Sequence, residues 1–270
     1  FIAEFGAGSL TVIQTVDLGE GKLGTMAASL NPNGKSFIDS HDDPGGWDLL
    51  GNWFVSTAVD RAAGRADVFS DLPAGGWGGT PFNDGMNVTM DPLGNCMNMA
   101  AETAELFFPI EYESFDLRQD SAGAGKFRGG LGANFKIRYL CEGELNMETS
   151  RTRRGSPGVN GGGHSAVQRS THLYPDGSRK VIGGLSPNGD WTSPLLSGHA
   201  FNNEEQFLFE STGGGGWGHA SERPAAKVLE DVLDEYVSID AARELYGVVV
   251  DPKSMTVNEA ETAKLRAIMK

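Results

Sequence analysis

One stretch limits what this chain can fold into more than any other: Asp120-Ser-Ala-Gly-Ala-Gly-Lys-Phe-Arg-Gly-Gly-Leu-Gly132. Its thirteen residues hold five glycines, two cations and one carboxylate. Little in it can fill a core, so it is a loop. Only glycine takes positive φ without strain or lets a backbone or ligand come close. Both flanks alternate as strands do, 111–117 before the loop and 133–140 after it. The alternation puts Glu111 and Glu113 on one face.

Two more runs of the same kind bracket it. Pro73-Ala-Gly-Gly-Trp-Gly-Gly-Thr-Pro-Phe-Asn-Asp-Gly85 lies upstream and Ser211-Thr-Gly-Gly-Gly-Gly-Trp-Gly-His219 downstream. Glycine makes up 38 of 270 residues, about twice the usual share, and shows no collagen period. Trp77 and Trp217 sit inside these runs, either as buried anchors or as walls of an apolar substrate path. The rest is ordinary for a folded protein, with 39% hydrophobic and 21% charged residues.

A net charge of −14 excludes nucleic acid as the main partner, because phosphate contacts need a basic face. The cations cluster locally at Arg151-Thr-Arg-Arg154, which reads as a solvated or salt-bridged turn. Cys96 and Cys141 have no metal-ligand spacing, and a chain of this size needs no staple; a reduced, cytoplasmic protein is expected. No apolar run approaches the ~20 residues of a membrane span, and no signal peptide is visible. The chain opens on Phe1-Ile-Ala-Glu-Phe without methionine. That reads as the C-terminal part of a longer protein, one piece of a split one, or a processed start.

Residues 10–16 have strand composition, and Asn31-Pro-Asn-Gly34 is a turn before Lys35-Ser-Phe-Ile38. Residues 51–59 fit a strand or a short helix. Residues 100–108 predict a helix stopped at Pro109. Strands are expected near 133–140, 143–150, 166–174, 179–182 and 204–210, with a hairpin at Tyr174-Pro-Asp-Gly-Ser178. Beyond 213 the pattern turns helical. Pro224 opens a helix running to Tyr236 whose apolar face is Val228, Leu229, Val232 and Leu233. Ser238 caps a second helix that ends at Gly247, and a short strand follows at 248–250. Thr256-Val-Asn-Glu259 is a capping box for a last helix. The expected fold is α+β: a β-dominated body with glycine-rich loops over 1–212, and a glycine-rich loop with a short helical region over 213–270.

Several stretches in order carry a resemblance. The 120–132 run, preceded by Phe108-Pro-Ile-Glu-Tyr-Glu113 and Leu117-Arg118, resembles the hydantoinase B/oxoprolinase family. Gly213-Gly-Gly-Gly-Trp-Gly218, Glu222-Arg223, Tyr236-Val-Ser238 and Tyr246-Gly-Val-Val249 look like its C-terminal signature, and Gly75-Gly-Trp-Gly-Gly79 with Asp84-Gly85 like its upstream block. Two departures are Ala122, where the family usually has glycine, and His219, where it often has Asp. The resemblance implies a subunit of an ATP-dependent enzyme working with a hydantoinase A-type subunit in a hetero-oligomer. The partner would use ATP and Mg2+ to phosphorylate a carbonyl or enol oxygen. The activated species would then be carboxylated, as in ketone carboxylases of the acetone and acetophenone type, or hydrolysed, as in hydantoinases and 5-oxoprolinases acting on cyclic amides. A non-catalytic scaffold of such a complex is the third reading. The family's divalent metal, Mn or Zn, is held in an N-terminal half that this sequence lacks, so the isolated chain is expected to be inactive. His41 and Asp42 are the best local metal pair within it.

The residues themselves offer two readings of the central loop. Backbone amides at Gly125 and Gly129 with Lys126 and Arg128 would make an anion cradle suited to a phosphorylated substrate. It is no Walker loop, since Phe127 follows the Gly-Lys pair. Alternatively the loop is a tight turn pinned by an Arg128–Asp120 pair. Glu111, Arg118 and Asp120 are the candidate catalytic side chains, with Glu111 or Glu113 as base, as a group orienting Arg118, or as interface charges. His164 and His199 are placed in glycine-rich turns and read as structural.

Overall fold

The computed structural model describes residues 52–60, 64–89 and 97–269, and the backbone of four short strands nearer the start. Of those four, β1 (Ile2–Gly6) pairs with β2 (Ser9–Ile13) and β3 (Thr15–Asp17) with β4 (Leu23–Thr25), both antiparallel. The turn at 31–34 and the His41, Asp42 pair lie outside the described residues.

Two antiparallel sheets form the body, which is β-dominated α+β as expected. The smaller holds β5 (Asn52–Asp60), β6 (Arg65–Asp71), β9 (Glu142–Thr149) and β13 (Leu195–Phe201) in the order β13-β9-β5-β6. The larger has the order β12-β11-β10-β14-β8-β7. Its members are β7 (Ile110–Leu117), β8 (Ala133–Tyr139), β10 (Arg169–Leu173), β11 (Arg179–Leu185), β12 (Trp191–Thr192) and β14 (Gln206–Glu210). Strand β8 shows why the alternation was readable. Ala133, Phe135, Ile137 and Tyr139 are fully buried, and the residues between them are not. Its inner face meets that of the smaller sheet through aromatic contacts, with Phe54 of β5 stacked on Phe209 of β14 at 4.5 Å.

The described part of the ambiguous 51–59 segment is a strand, because β6 and β9 both bond it along its length and Phe54, Ser56 and Ala58 face the core. Helix α1 (Ala101–Phe107) ends two residues before Pro109 and buries only Ala104. In β7 the register shifts between Tyr112 and Ser114. The extra residue, Glu113, reverses the parity, so Tyr112 and Phe115 both set their edges against Phe135 at 5.1 and 5.0 Å. The predicted hairpin joins β10 to β11, with Gly177 at φ 84°. Strands β6, β12 and β13 had no expectation.

The C-terminal helices α2 (Ala225–Leu233), α3 (Ile239–Tyr246) and α4 (Glu259–Ile268) enclose a second cluster around Val228, Val232, Ala242, Tyr246 and Val248. Three expectations are corrected here. Helix α2 stops at Leu233, short of Tyr236; Glu235 takes φ 59°, and Leu233 is exposed. The last strand is only β15 (Val250–Asp251), paired with β16 (Thr256–Val257). That ladder takes Thr256, so Asn258 caps α4 instead, accepting the Glu261 amide at 3.1 Å. Ser238 and Gly247 do cap α3, Gly247 at φ 64°. Among the described residues no helix is long and apolar enough to cross a membrane.

Candidate functional site

The three glycine runs come together with residues 155–163 on one side of the body. The amides of Gly123, Lys126, Phe127, Gly129 and Gly130 donate to the carbonyls of Gly214, Gly218, Trp217, Gly123 and Trp77 at 2.7–3.2 Å. Gly79 donates to Gly215, and Gly216 to Gly163. Here glycine's role is close approach. A Cβ at Gly129 would strike the Gly214 carbonyl, one at Gly130 that of Met86, and one at Gly214 that of Trp77. Backbone lies directly on backbone, as a plait with no side-chain layer.

This arrangement decides where the loop's donors go. The Arg128 amide donates to Asp84 Oδ1 at 2.7 Å and the Leu131 amide to Asn87 Oδ1 at 2.9 Å. Gly129 has its amide on Gly123, and Gly125 lies too close to Phe127 and Trp217 for any side chain. The amides of a cradle would point to a ligand; most of these are used in joining the plait.

Arg128 is 4% exposed. Its Nε lies 3.3 Å from Asp231 Oδ1, its Nη1 donates to the Gly129 carbonyl at 2.6 Å, and the guanidinium sits 5.1 Å from the Tyr236 ring centre. Arg223, 3% exposed, donates from Nε to Asp231 Oδ2 at 2.9 Å and bidentately to Asp84 at 2.7 and 2.8 Å. Two arginines and two aspartates thus form a charge-balanced node tying the first two glycine runs to α2. Burial alone would raise the Asp84 pKa, but Arg223 and Arg128 outweigh it and hold it below the ordinary carboxylate range. The same carboxylates, against the opposing effect of burial, push the Arg223 pKa up.

The proposed Arg128–Asp120 pair is not formed. Asp120, at φ 59°, accepts the Ser238 amide at 2.8 Å and so ties the loop to the start of α3. Lys126 remains at the surface, half exposed, 3.8 Å from Glu222. Glu111 and Glu113 do share a face, but both pair with Arg138, and Glu113 also with Lys136 at 3.3 Å. Neither orients Arg118. That guanidinium is tucked against Glu210 at 3.8 Å and donates to the Val167 and Ser211 carbonyls at 2.8 and 2.9 Å. Trp77 and Trp217 are half buried in the plait, Trp217 packing on Phe127 at 6.0 Å.

A second cluster had no expectation. His172 of β10 is buried between Tyr174 and Phe207, ring centres 4.1 and 4.4 Å away. Its Nε2 lies 2.9 Å from Glu205 Oε2 and its Nδ1 2.9 Å from His199 Nε2 on β13. Glu205 also accepts both amides of Asn202 at 3.0 Å. The Glu205 carboxylate can only accept, so His172 Nε2–H donates to it and the neutral ring's Nδ1 accepts from His199. His199 thus sits in a strand, not a glycine turn, and links the two sheets. Strand composition alone gave no sign of this, since the partners come from β10, β13 and the turn before β14.

Among the described residues no three His, Cys, Asp or Glu side chains converge as a metal site. They do not fit the divalent metal implied by the resemblance.

Two facing sheets and a glycine plait, tied by a charge-balanced Asp–Arg node, make up a β-rich body. Residues 43–220 match the hydantoinase B/oxoprolinase family, and the chain belongs to it. It is similar to the B-type subunit of a putative D-/L-hydantoinase from Pseudomonas sp. strain NS671, 27% identical, covering 74% of this chain and 32% of that one. It is also similar to the acetone carboxylase alpha subunit of Xanthobacter autotrophicus, 28% identical over 73% of this chain and 29% of that one. The solved structure of an ATP-dependent caprolactamase from Pseudomonas jessenii superposes with a TM-score of 0.70 at 25% identity, covering 83% of this chain and 38% of that one. The chain spans about a third of the length of the curated relatives it matches.

Proposed function

We propose that this chain is the β-rich body of a B-type subunit in an ATP-dependent enzyme that hydrolyses a cyclic amide. Residues 1–212 form its body and 213–270 a tail packed on it. The observation that carries this reading is the superposition on ATP-dependent caprolactamase over most of the chain. The likeness to the acetone carboxylase alpha subunit favours a second reading, carboxylation of a ketone. In both, a hydantoinase A-type partner in a cytoplasmic hetero-oligomer uses ATP and Mg2+ to activate the substrate oxygen. A divalent metal, Mn or Zn, is held elsewhere in the complex.

Within that reaction the plait is a frame. It fixes the loop so that Lys126, next to Glu222, faces outward. Arg128 acts inside the frame through Asp231. The test uses the full-length protein assembled with its A-type partner and ATP, offered cyclic amides or a ketone with bicarbonate. Amide opening supports the first reading and carboxylate formation the second. Lys126→Ala is expected to lower turnover with assembly intact, and Arg128→Ala to lose assembly or stability. Turnover by the isolated chain would overturn the division of labour; unchanged turnover in Lys126→Ala would reduce the chain to a scaffold.

A further inference from the structure

The face of the six-stranded sheet turned away from the core carries a cavity of about 360 Å3, within the usual size of small-molecule sites. Strand pairing orders its lining in three rows. Arg169 stands opposite Glu210 in the first row. Thr171 stands between Val181 and Leu208 in the second. Leu173 stands opposite Arg179 in the third. Residues two apart on a strand share a face, so all three rows look into the same space. The middle row is apolar apart from the Thr171 hydroxyl, and each outer row has an arginine. Rows one and three are four residues apart on β10, roughly 13 Å at 3.3 Å per residue.

The lining holds two arginines, Arg169 and Arg179, against two carboxylates, Glu210 and Asp190, in a chain whose net charge is −14. Arg169 grips Glu210 with Nε at 2.5 Å and Nη2 at 2.7 Å, and Arg118 approaches the same carboxylate from behind at 3.8 Å. One carboxylate is shared by two guanidiniums. Burial, and then the neighbouring Arg169, act to lower the Arg118 pKa against the pull of Glu210, as expected where cations crowd. Arg179 is exposed at the other end. Thr192 of β12 lines the cavity, while Trp191 before it turns to the opposite face, where Arg153 stacks on it at 3.9 Å. Asp190 is the carboxylate at the rim.

We propose that this face binds a small organic acid, carboxylate or phosphate ester, with its acidic head on Arg179, its apolar body across Val181 and Leu208, and its far end against the Arg169–Glu210 pair. The site is separate from the plait and does not rest on the reaction assigned above. Titration calorimetry on the full-length protein with hexanoate, hexyl phosphate, hexan-1-ol and acetate tests it. One or both six-carbon acids should bind, their ratio identifying the head group. Hexan-1-ol should not bind, and acetate should bind at least tenfold more weakly. Arg179→Gln, an exposed substitution, should weaken the acid at least tenfold with the melting temperature unchanged. The proposal is overturned if hexan-1-ol binds as well as the acids, if acetate binds as tightly as hexanoate, if Arg179→Gln leaves binding intact, or if neither acid binds at millimolar concentration.

Discussion

At Gly130 an added Cβ would strike the Met86 carbonyl, whereas at Gly177 it would meet nothing within 4 Å. The two glycines are therefore kept for different reasons, close backbone contact in one and a φ of 84° in the other. Gly130→Ala should cost at least about 4 kcal/mol or abolish folding, since a backbone atom cannot move aside as a side chain can. Gly177→Ala should cost about 1 kcal/mol. Urea unfolding of the two variants measures the contrast. A similar contrast separates the two charge pairs. Asp231 is 5% exposed between two arginines, so Asp231→Asn leaves buried cations short of a partner and should cost about 3–5 kcal/mol. Lys126→Ala removes a surface contact at 3.8 Å and should change stability by less than about 0.5 kcal/mol by the same assay.

Strands β10 and β13 belong to different sheets, and the His172–His199 bond joins them at 2.9 Å. Burial lowers the pKa of His172, with Lys180 and His199 adding to it and Glu205 opposing; burial and Lys180 likewise lower that of His199. Tyr174, stacked on His172, has its own pKa raised and stays neutral. The folded chain thus keeps both imidazoles neutral, while the unfolded chain takes up protons near the ordinary value of about 6.5. The stabilisation is whole above about pH 6.5 and is lost as pH falls from there through the lowered folded values. Glu205, its pKa lowered by Asn202 and His172 despite burial, contributes only within the carboxylate range, further down. The urea midpoint should fall from pH 7 to pH 5, and the fall should flatten in a His172→Asn, His199→Asn double variant. An equal slope in that variant would remove the two histidines as its cause. The same strands show where a pattern hides. In β13 the register shifts between Leu196 and His199 around Gly198 at φ 64°, and Leu195 is 66% exposed, so no alternation marks it. Among the described side chains of β6 only Phe69 is buried, while its neighbour Val68 is exposed.

For the molecule as a whole, sequence spacing captured what depends on near neighbours: β7 and β8 around the central loop, the hairpin at Gly177, the capped α3. It also identified the family, because the glycine runs keep their order along the chain. It could not show the destinations of Arg128 and Asp120. The partner of Arg128 lies 103 residues away and that of Asp120 lies 118 away, and pairings of that reach leave no local trace. Nor could it separate glycines that bind from glycines that pack, since both look alike until the opposing backbone is known. The plait has a consequence during synthesis. Asp84 is made 139 residues before the Arg223 that grips it, and Gly79 long before the Gly215 carbonyl that takes its amide. At ordinary ribosomal speed that interval is on the order of ten seconds. Through it the first glycine run can meet the second but lacks its Gly215 and Arg223 partners, so a nascent chain cannot complete the plait until residue 223 has been translated.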